Sequence, residues 1–242
     1  MNPVSAVIFD MDGLIFDTER ICYQIYLEAA RTFGFQMTRN MYTCLCGRTE
    51  KGILDDLSRA YGPEHDVASW RAFVRERKAP ARAALNGRVG KKPGLLELLS
   101  YLAEREIPYA MASSSTRDVI DSCLAGEYLT HAFPVIMDGS MVEHGKPDPE
   151  IFLRAADALG VAPEDTLVLE DSRAGIRAAN AGGFMSGFVY DDMSDLPEVH
   201  EGFPILVEFE GPEAIAAEAR FTFDTLADAV PFIEGSRTRT DR

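Results

Sequence analysis

Basic residues are scarce in this 242-residue chain: 24 Lys and Arg stand against 39 Asp and Glu, a formal net charge of −15. Such a field repels polyanions, which argues against nucleic acid or an anionic membrane surface as the principal partner. Long apolar runs are missing too. No stretch approaches the roughly 20 residues of a membrane span, and Met1-Asn2-Pro3-Val4 shows no secretory leader pattern, so a cytoplasmic protein is expected. Cysteine is sparse, and Cys22, Cys44, Cys46 and Cys123 are too dispersed for a disulfide framework, so reduced thiols are expected. Cys44 and Cys46 form a C-x-C without a second Cys/His pair at ligand spacing, which argues against a zinc site. Tryptophan occurs once, yet 14 Phe, 8 Tyr and a hydrophobic fraction of 46% supply a sizeable core and exclude wholesale disorder. The length suits one α/β unit, or a core with a small insertion, better than two large domains.

Short apolar runs followed by helix-like stretches recur in the second half. Strands are expected over 4–9, 109–112, 133–137, 166–169 and 184–189, and helices over 94–105, 116–124, 149–159 and 172–181. Pro149 suits a first helical turn and Ser172 a helix start. This alternation predicts an α/β fold, a parallel sheet flanked by helices on both faces. The interval from about Asp17 to Arg88 breaks the rhythm, with helical patterns over 18–33, 51–61 and 69–84 and no convincing strand. A helical insertion is expected there, leaving through Phe16-Asp17 and returning through Asn86-Gly87-Arg88, where glycine permits hinge motion. The acidic stretch 191–219 is expected to be a solvated surface excursion, and the polar tail 235–242 to fray.

The chemistry concentrates where strands end. The first runs into Asp10-Met11-Asp12-Gly13, the second into Ser113-Ser114-Ser115-Thr116, and the fourth into Glu170-Asp171, while His144-Gly145-Lys146-Pro147-Asp148-Pro149 holds a lysine in a stiff turn. Ligand sites in open α/β sheets lie beyond the carboxyl ends of the strands. Each cluster alone has an ordinary explanation: an Asp-Gly turn, a helix cap, a solvated lysine. Together on one sheet edge they indicate a site. An EF-hand calcium loop fails, because Gly13 comes too early and a strand precedes it.

Asp10 through Glu19, Ser113, the Gly145-Lys146-Pro147-Asp148-Pro149 turn and Leu169 through Ile176 together resemble the four ordered motifs of the haloacid dehalogenase (HAD) superfamily, over residues 1–190. The resemblance is to its small phosphatases and β-phosphoglucomutases with a helical cap. It implies a Rossmann-like catalytic core formed by 1–16 and 88–242, with a small α-helical cap domain inserted at 17–87. It further implies hydrolysis of small phosphate monoesters, sugar or polyol phosphates, through an aspartyl-phosphate. By match, Asp10 is the nucleophile and Asp12 the acid and base. Ser113 binds the phosphoryl group, and Lys146 balances charge. Mg²⁺ is held by Asp10, the backbone carbonyl of Asp12, and Asp171, with Glu170 in or near the coordination sphere. Such chemistry needs positive charge between two anions, and magnesium prefers hard oxygen ligands.

Under the expected cap, Arg48, Lys51, Arg77 and Lys78 are candidates to touch the substrate, alongside Ser114. Two alternatives stay open: a phosphosugar mutase and a non-catalytic phospho-binding module. The mutase pattern in the cap is Gly-x-Ser-Arg-like, whereas this chain has Gly47-Arg48-Thr49-Glu50-Lys51. Ser114-Ser115-Thr116-Arg117 also lacks the Lys-Asn that follows the second motif in mutases. A small phosphorylated metabolite is the expected partner and a monomer the expected state.

Overall fold

Apolar runs without a polar break become the buried centre of a sheet, because only a strand covered on both faces can bury every side chain. In the computed structural model, which describes residues 2–48 and 50–238, those runs are β1 (Ala6–Phe9), β2 (Tyr109–Ala112), β4 (Thr166–Glu170) and β5 (Met185–Val189), with β3 (Val135–Met137) half-buried at the sheet edge. A sixth strand, β6 (Phe221–Phe223), was not expected. Its three residues are too few to show a period. All pairings are parallel, in the order β3-β2-β1-β4-β5-β6. The chain therefore reverses direction of winding at β1, which is where such sheets bind ligands.

Helices α5 (Leu95–Glu104), α6 (Arg117–Gly126), α7 (Glu150–Leu159), α8 (Arg173–Ala181) and α10 (Ala229–Thr238) flank the sheet. On one face Phe9, Leu98, Leu102, Met111, Leu167 and Leu169 share a core; on the other Ile8, Phe152, Ala155 and Val168 share a second. The alternation of strand side chains divides the two. Ser172 does cap α8, its hydroxyl accepting from the Gly175 amide at 3.1 Å. The tail departs from expectation as far as it is described: 235–238 continue α10, and buried Ser236 accepts from the Val4 amide at 3.0 Å. Residues 239–242 lie outside the described residues.

The interval after β1 is helical as expected: α1 (Thr18–Phe33), α2 (Arg39–Leu45), α3 (Glu50–Tyr61) and α4 (Val67–Ala84), of which α2 was not anticipated. These pack around their own cluster of Tyr23, Tyr26, Phe35, Tyr42, Tyr61 and Trp70, with Phe35 stacked on Trp70 at 5.2 Å. The two crossings run side by side, since the Asp17 amide donates to Gly90 O at 3.1 Å and Lys92 N to Ile15 O at 2.9 Å. Gly87, at φ +75°, faces α6 so closely that a Cβ would lie 2.0 Å from Ser122 O.

The stretch after β5 is not a solvated excursion. Met193 and Val199 are buried in the helical cluster, and Leu196, Ile205, Val207 and Phe209 pack against it. Backbone bridges join Met37 to Val199 and Phe35 to Phe203. Arg20 grips Asp195 at 2.7 Å and Arg39 donates to Leu196 O at 2.5 Å. Its acids misled because they sit between apolar residues that alternate irregularly, and irregular backbone has no period to read. Helix α9 (Pro212–Ala216) then returns the chain to β6.

Candidate active site

The carboxyl ends of β1, β2 and β4 deliver Asp10, Ser113 and the Glu170-Asp171 pair to one edge, because parallel strands in register must end together. Phe9 pairs with Met111 on one side and Leu169 on the other. Asp10, Glu170 and Asp171 converge, each offering an oxygen within 4.8 Å of the others. Between β3 and α7, the loop carrying Lys146 folds back over this edge. Its ammonium is buried, donating to Asp10, to Glu170 at 2.6 Å and to the Ala112 carbonyl at 3.3 Å. The same group lies 4.7 Å from the centre of the Phe152 ring.

The second oxygen of Glu170 accepts from Asp171 N, Ser172 N and the Ser172 hydroxyl, at 3.1, 3.0 and 2.9 Å. Two glycines make room for these acids. A Cβ on Gly175 would lie 1.8 Å from Glu170 Oε1, and one on Gly13, at φ +83°, 2.0 Å from Asp171 Oδ2. Neither can carry a side chain without displacing a carboxylate.

Asp12 sits beside this cluster in a different environment. One of its oxygens accepts from Thr18 Oγ1 at 2.8 Å and Arg82 Nη2 at 2.6 Å, the other from Ser115 Oγ at 2.7 Å. Ser113 is buried, its hydroxyl accepting from the Ser115 amide at 3.1 Å, while Ser114 is exposed at the pocket edge.

The electrostatics separate the two aspartates. Burial pushes Asp10 up to about 8, with Lys146 opposing and Glu170 adding to the rise. Asp171 is driven well above the carboxylate range by burial, Glu170 and Asp10. Asp12 is also buried, but Arg82 and the Ser115 and Thr18 hydroxyls outweigh that and hold it low. For Lys146, burial works against its charge and Asp10 and Glu170 more than restore it, so its pKa is raised. Three converging carboxylates facing one ammonium leave local negative charge in excess, and an all-oxygen donor set of this kind suits a hard divalent cation.

Sequence reasoning thus named Asp10, Asp12, Ser113, Ser114, Lys146, Glu170 and Asp171, and the fold brings all seven to one edge. Of the residues named under the helical insertion, Lys78 lines the inner pocket of 360 Å³ with Asp10, Asp12 and Lys146. Arg48 lines an adjoining chamber of 660 Å³ and pairs with Asp56 at 3.1 Å; its neighbour Thr49 lies outside the described residues. Two expectations fail. Arg77 pairs with Glu28 at 3.3 Å and stacks on Phe73, and Lys51 is exposed and lines neither the inner pocket nor the adjoining chamber. Arg82 was missed, and Ser115 and Glu19 were noted within the motifs without a role; all three line the inner pocket. Arg82 follows Lys78 by four residues, one helical turn, and that spacing was the available signal.

A family model described as haloacid dehalogenase-like hydrolase matches residues 7–189. The chain belongs to the haloacid dehalogenase-like hydrolases. It is an enzyme of that type, as the motifs implied. A Thermotoga maritima protein called phosphorylated carbohydrates phosphatase is 32% identical over 180 residues, covering 74% of this chain and 82% of that protein. A Bacillus subtilis protein called β-phosphoglucomutase is 29% identical over 187 residues, covering 76% and 82%. A crystal structure of a HAD family hydrolase from Deinococcus radiodurans, with bound phosphate and sodium, superposes with a TM-score of 0.73 at 24% identity and covers 98% of each chain. At that identity the likeness speaks for the fold. Among the described residues, no helix is long and apolar enough to cross a membrane.

Proposed function

We propose that this hydrolase is a Mg²⁺-dependent phosphatase of small phosphorylated metabolites, sugar or polyol phosphates, working through an aspartyl-phosphate. The observation that carries the reading is the convergence of Asp10, Glu170 and Asp171 with Lys146 buried among them. Asp10 and Asp171, with the Asp12 carbonyl, would hold the ion, and Glu170 would support it from its hydrogen bonds to Ser172 and Lys146. When bound, magnesium supplies the positive charge that lets a carboxylate approach a phosphate dianion.

The chain's own groups then divide the work. An Asp10 oxygen attacks phosphorus in line while the ester oxygen departs, so the P–O bond to the alcohol breaks as the aspartyl P–O bond forms. Asp12, oriented by the Thr18 and Ser115 hydroxyls and protonated once Arg82 no longer holds it ionised, gives its proton to the departing oxygen. It takes a proton back from the water that hydrolyses the aspartyl-phosphate. Ser113 and Ser114 donate to the phosphoryl oxygens, and Lys146 offsets the charge on them and on Asp10. Arg82 must release Asp12 for these steps, since it occupies one of the carboxylate's oxygens at 2.6 Å.

Residues 1–16 and 88–242 are read as the catalytic core and 17–87 as a cap closing on it. The enzyme is read as a monomer working in the cytoplasm, where four free cysteines are at home. The mutase reading is kept alive by the likeness to β-phosphoglucomutase and by Arg48 beside the site. Supplying β-glucose 1-phosphate with a bisphosphate activator separates the two. Phosphate release faster than glucose 6-phosphate formation supports the phosphatase; the reverse order overturns it.

A further inference from the structure

The inner pocket and the larger chamber of 660 Å³ share Cys46, Gly47 and Lys146 in their walls, and the chamber is bounded by α3, by α8 and by the 208–210 end of the segment that follows β5. Its walls carry four guanidiniums, on Arg48, Arg59, Arg173 and Arg177. Taken alone these would invite a second phosphate on the far end of a substrate. Every one of them is already paired. Asp56, with only 13% of its side chain exposed, holds Arg48 at 3.1 Å and Arg59 at 3.2 Å. Glu210 holds Arg173 at 2.7 Å, and Glu218 holds Arg177 at 2.7 Å and Arg173 at 3.1 Å. Glu208 adds a further carboxylate to the wall.

We infer that this chamber is a leaving-group subsite for uncharged, hydroxyl-rich groups, and that Asp56 and Glu210 determine specificity by denying its arginines to a second anion. This rests on the phosphatase reading. The physical ground is a competition. A distal phosphate must displace a carboxylate from each guanidinium it takes, leaving that carboxylate facing another negative charge. A sugar hydroxyl instead donates to the carboxylate and accepts from the guanidinium while the pair stays intact. The two carboxylates differ in reach. Asp56 is shielded and serves two arginines, whereas Glu210 is 66% exposed and its charge is screened by salt.

The test compares binding of fructose 1-phosphate and fructose 1,6-bisphosphate by calorimetry with magnesium present, in an Asp10→Asn background that prevents turnover. The bisphosphate is expected to bind no more tightly than the monophosphate. Adding Asp56→Asn should shift the ratio toward the bisphosphate by about tenfold, and adding Glu210→Gln by about threefold, the latter fading at high salt. Glu210→Gln alters an exposed side chain and keeps the test decisive should Asp56→Asn fail to fold. A parent that prefers the bisphosphate tenfold, or a ratio unmoved in every folded variant, overturns the inference. Failure of the phosphatase reading shows separately, as no metal-dependent phosphate release from either sugar by the protein with Asp10 intact.

Discussion

The inner pocket and the outer chamber lie side by side and balance charge in opposite ways. In the inner pocket Asp10 and Glu170 share Lys146 while Asp171 beside them has no such partner among the described residues, and burial lifts Asp10 and Asp171 far from their ordinary values. In the outer chamber every guanidinium is paired with a carboxylate, Asp56 serving both Arg48 and Arg59 and Glu218 both Arg173 and Arg177. An unbalanced cluster is held together at the expense of stability and marks a place that waits for a counter-ion; a balanced one asks for nothing further and can act by exclusion. On the proposed reading the contrast separates the site of chemistry from the site of choice, although both are rich in charged side chains.

The comparison breaks first at Asp10. Asp10→Asn should lower phosphate release from sugar phosphates by about 10³-fold or more, as loss of a nucleophile does, and steady-state assays read it directly. A variant retaining a tenth of the activity would remove Asp10 from the centre of the mechanism. Gly175→Ala comes next. Its methyl group would meet the Glu170 carboxylate at 1.8 Å, so the acid must move and take Lys146 with it. We expect about a 100-fold loss of kcat with a fold intact by circular dichroism, of the size seen when supports of a metal ligand are disturbed.

Metal removal sharpens the contrast through pH. Asp10, folded at about 8, is raised above its unfolded value near 4 by burial, so its contribution to stability is present at low pH and is lost as pH rises through 8. Protein stripped with EDTA should therefore show a melting temperature that declines over that window, and magnesium should restore more at pH 8 than at pH 5. A magnesium effect independent of pH would sink the idea that the ion answers this excess charge. In the helical cluster, built of apolar and aromatic side chains, Val199→Ala should cost about 1–2 kcal/mol by denaturant unfolding, because Val199 is buried there and bridged to Met37. The smallest effect is expected at Arg77→Gln. That side chain pairs and stacks at the surface of α4, and activity should change by less than about twofold.

What was legible in the sequence follows the same division. Asp10, Ser113 and Glu170-Asp171 could be found because a buried strand that ends abruptly in polar residues is a local pattern, and parallel pairing carries the three ends to one edge; Lys146 stood out in its proline-flanked turn, and the loop after β3 brings it over that edge. The strand and helix boundaries came close for the same reason. The stretch 191–210 was misread, since its buried Met193 and Val199 lie among exposed acids and its partners are distant in sequence, Tyr23 reaching Pro197 O at 2.9 Å and Gln36 reaching His200 O at 2.7 Å. Arg82 escaped notice because an arginine on a helix is usually solvated; its spacing from Lys78 shows that the two share a helix face but not that this face meets Asp12.

The order of motifs along the chain, then, was enough to indicate a parallel sheet, a helical interval after β1 and the polar residues that gather at the sheet edge, for those depend on local hydrophobic runs and on which residues end them. Which arginines are free and which are engaged was decided only by the tertiary structure. Arg48, Arg59, Arg173 and Arg177 look alike in a sequence, and their meaning rests on Asp56, Glu210 and Glu218, of which Glu210 arrives from a segment folded back over the helical cluster. Charge acts through distance in space, and the chain path that sets those distances is settled by the packing of remote apolar residues.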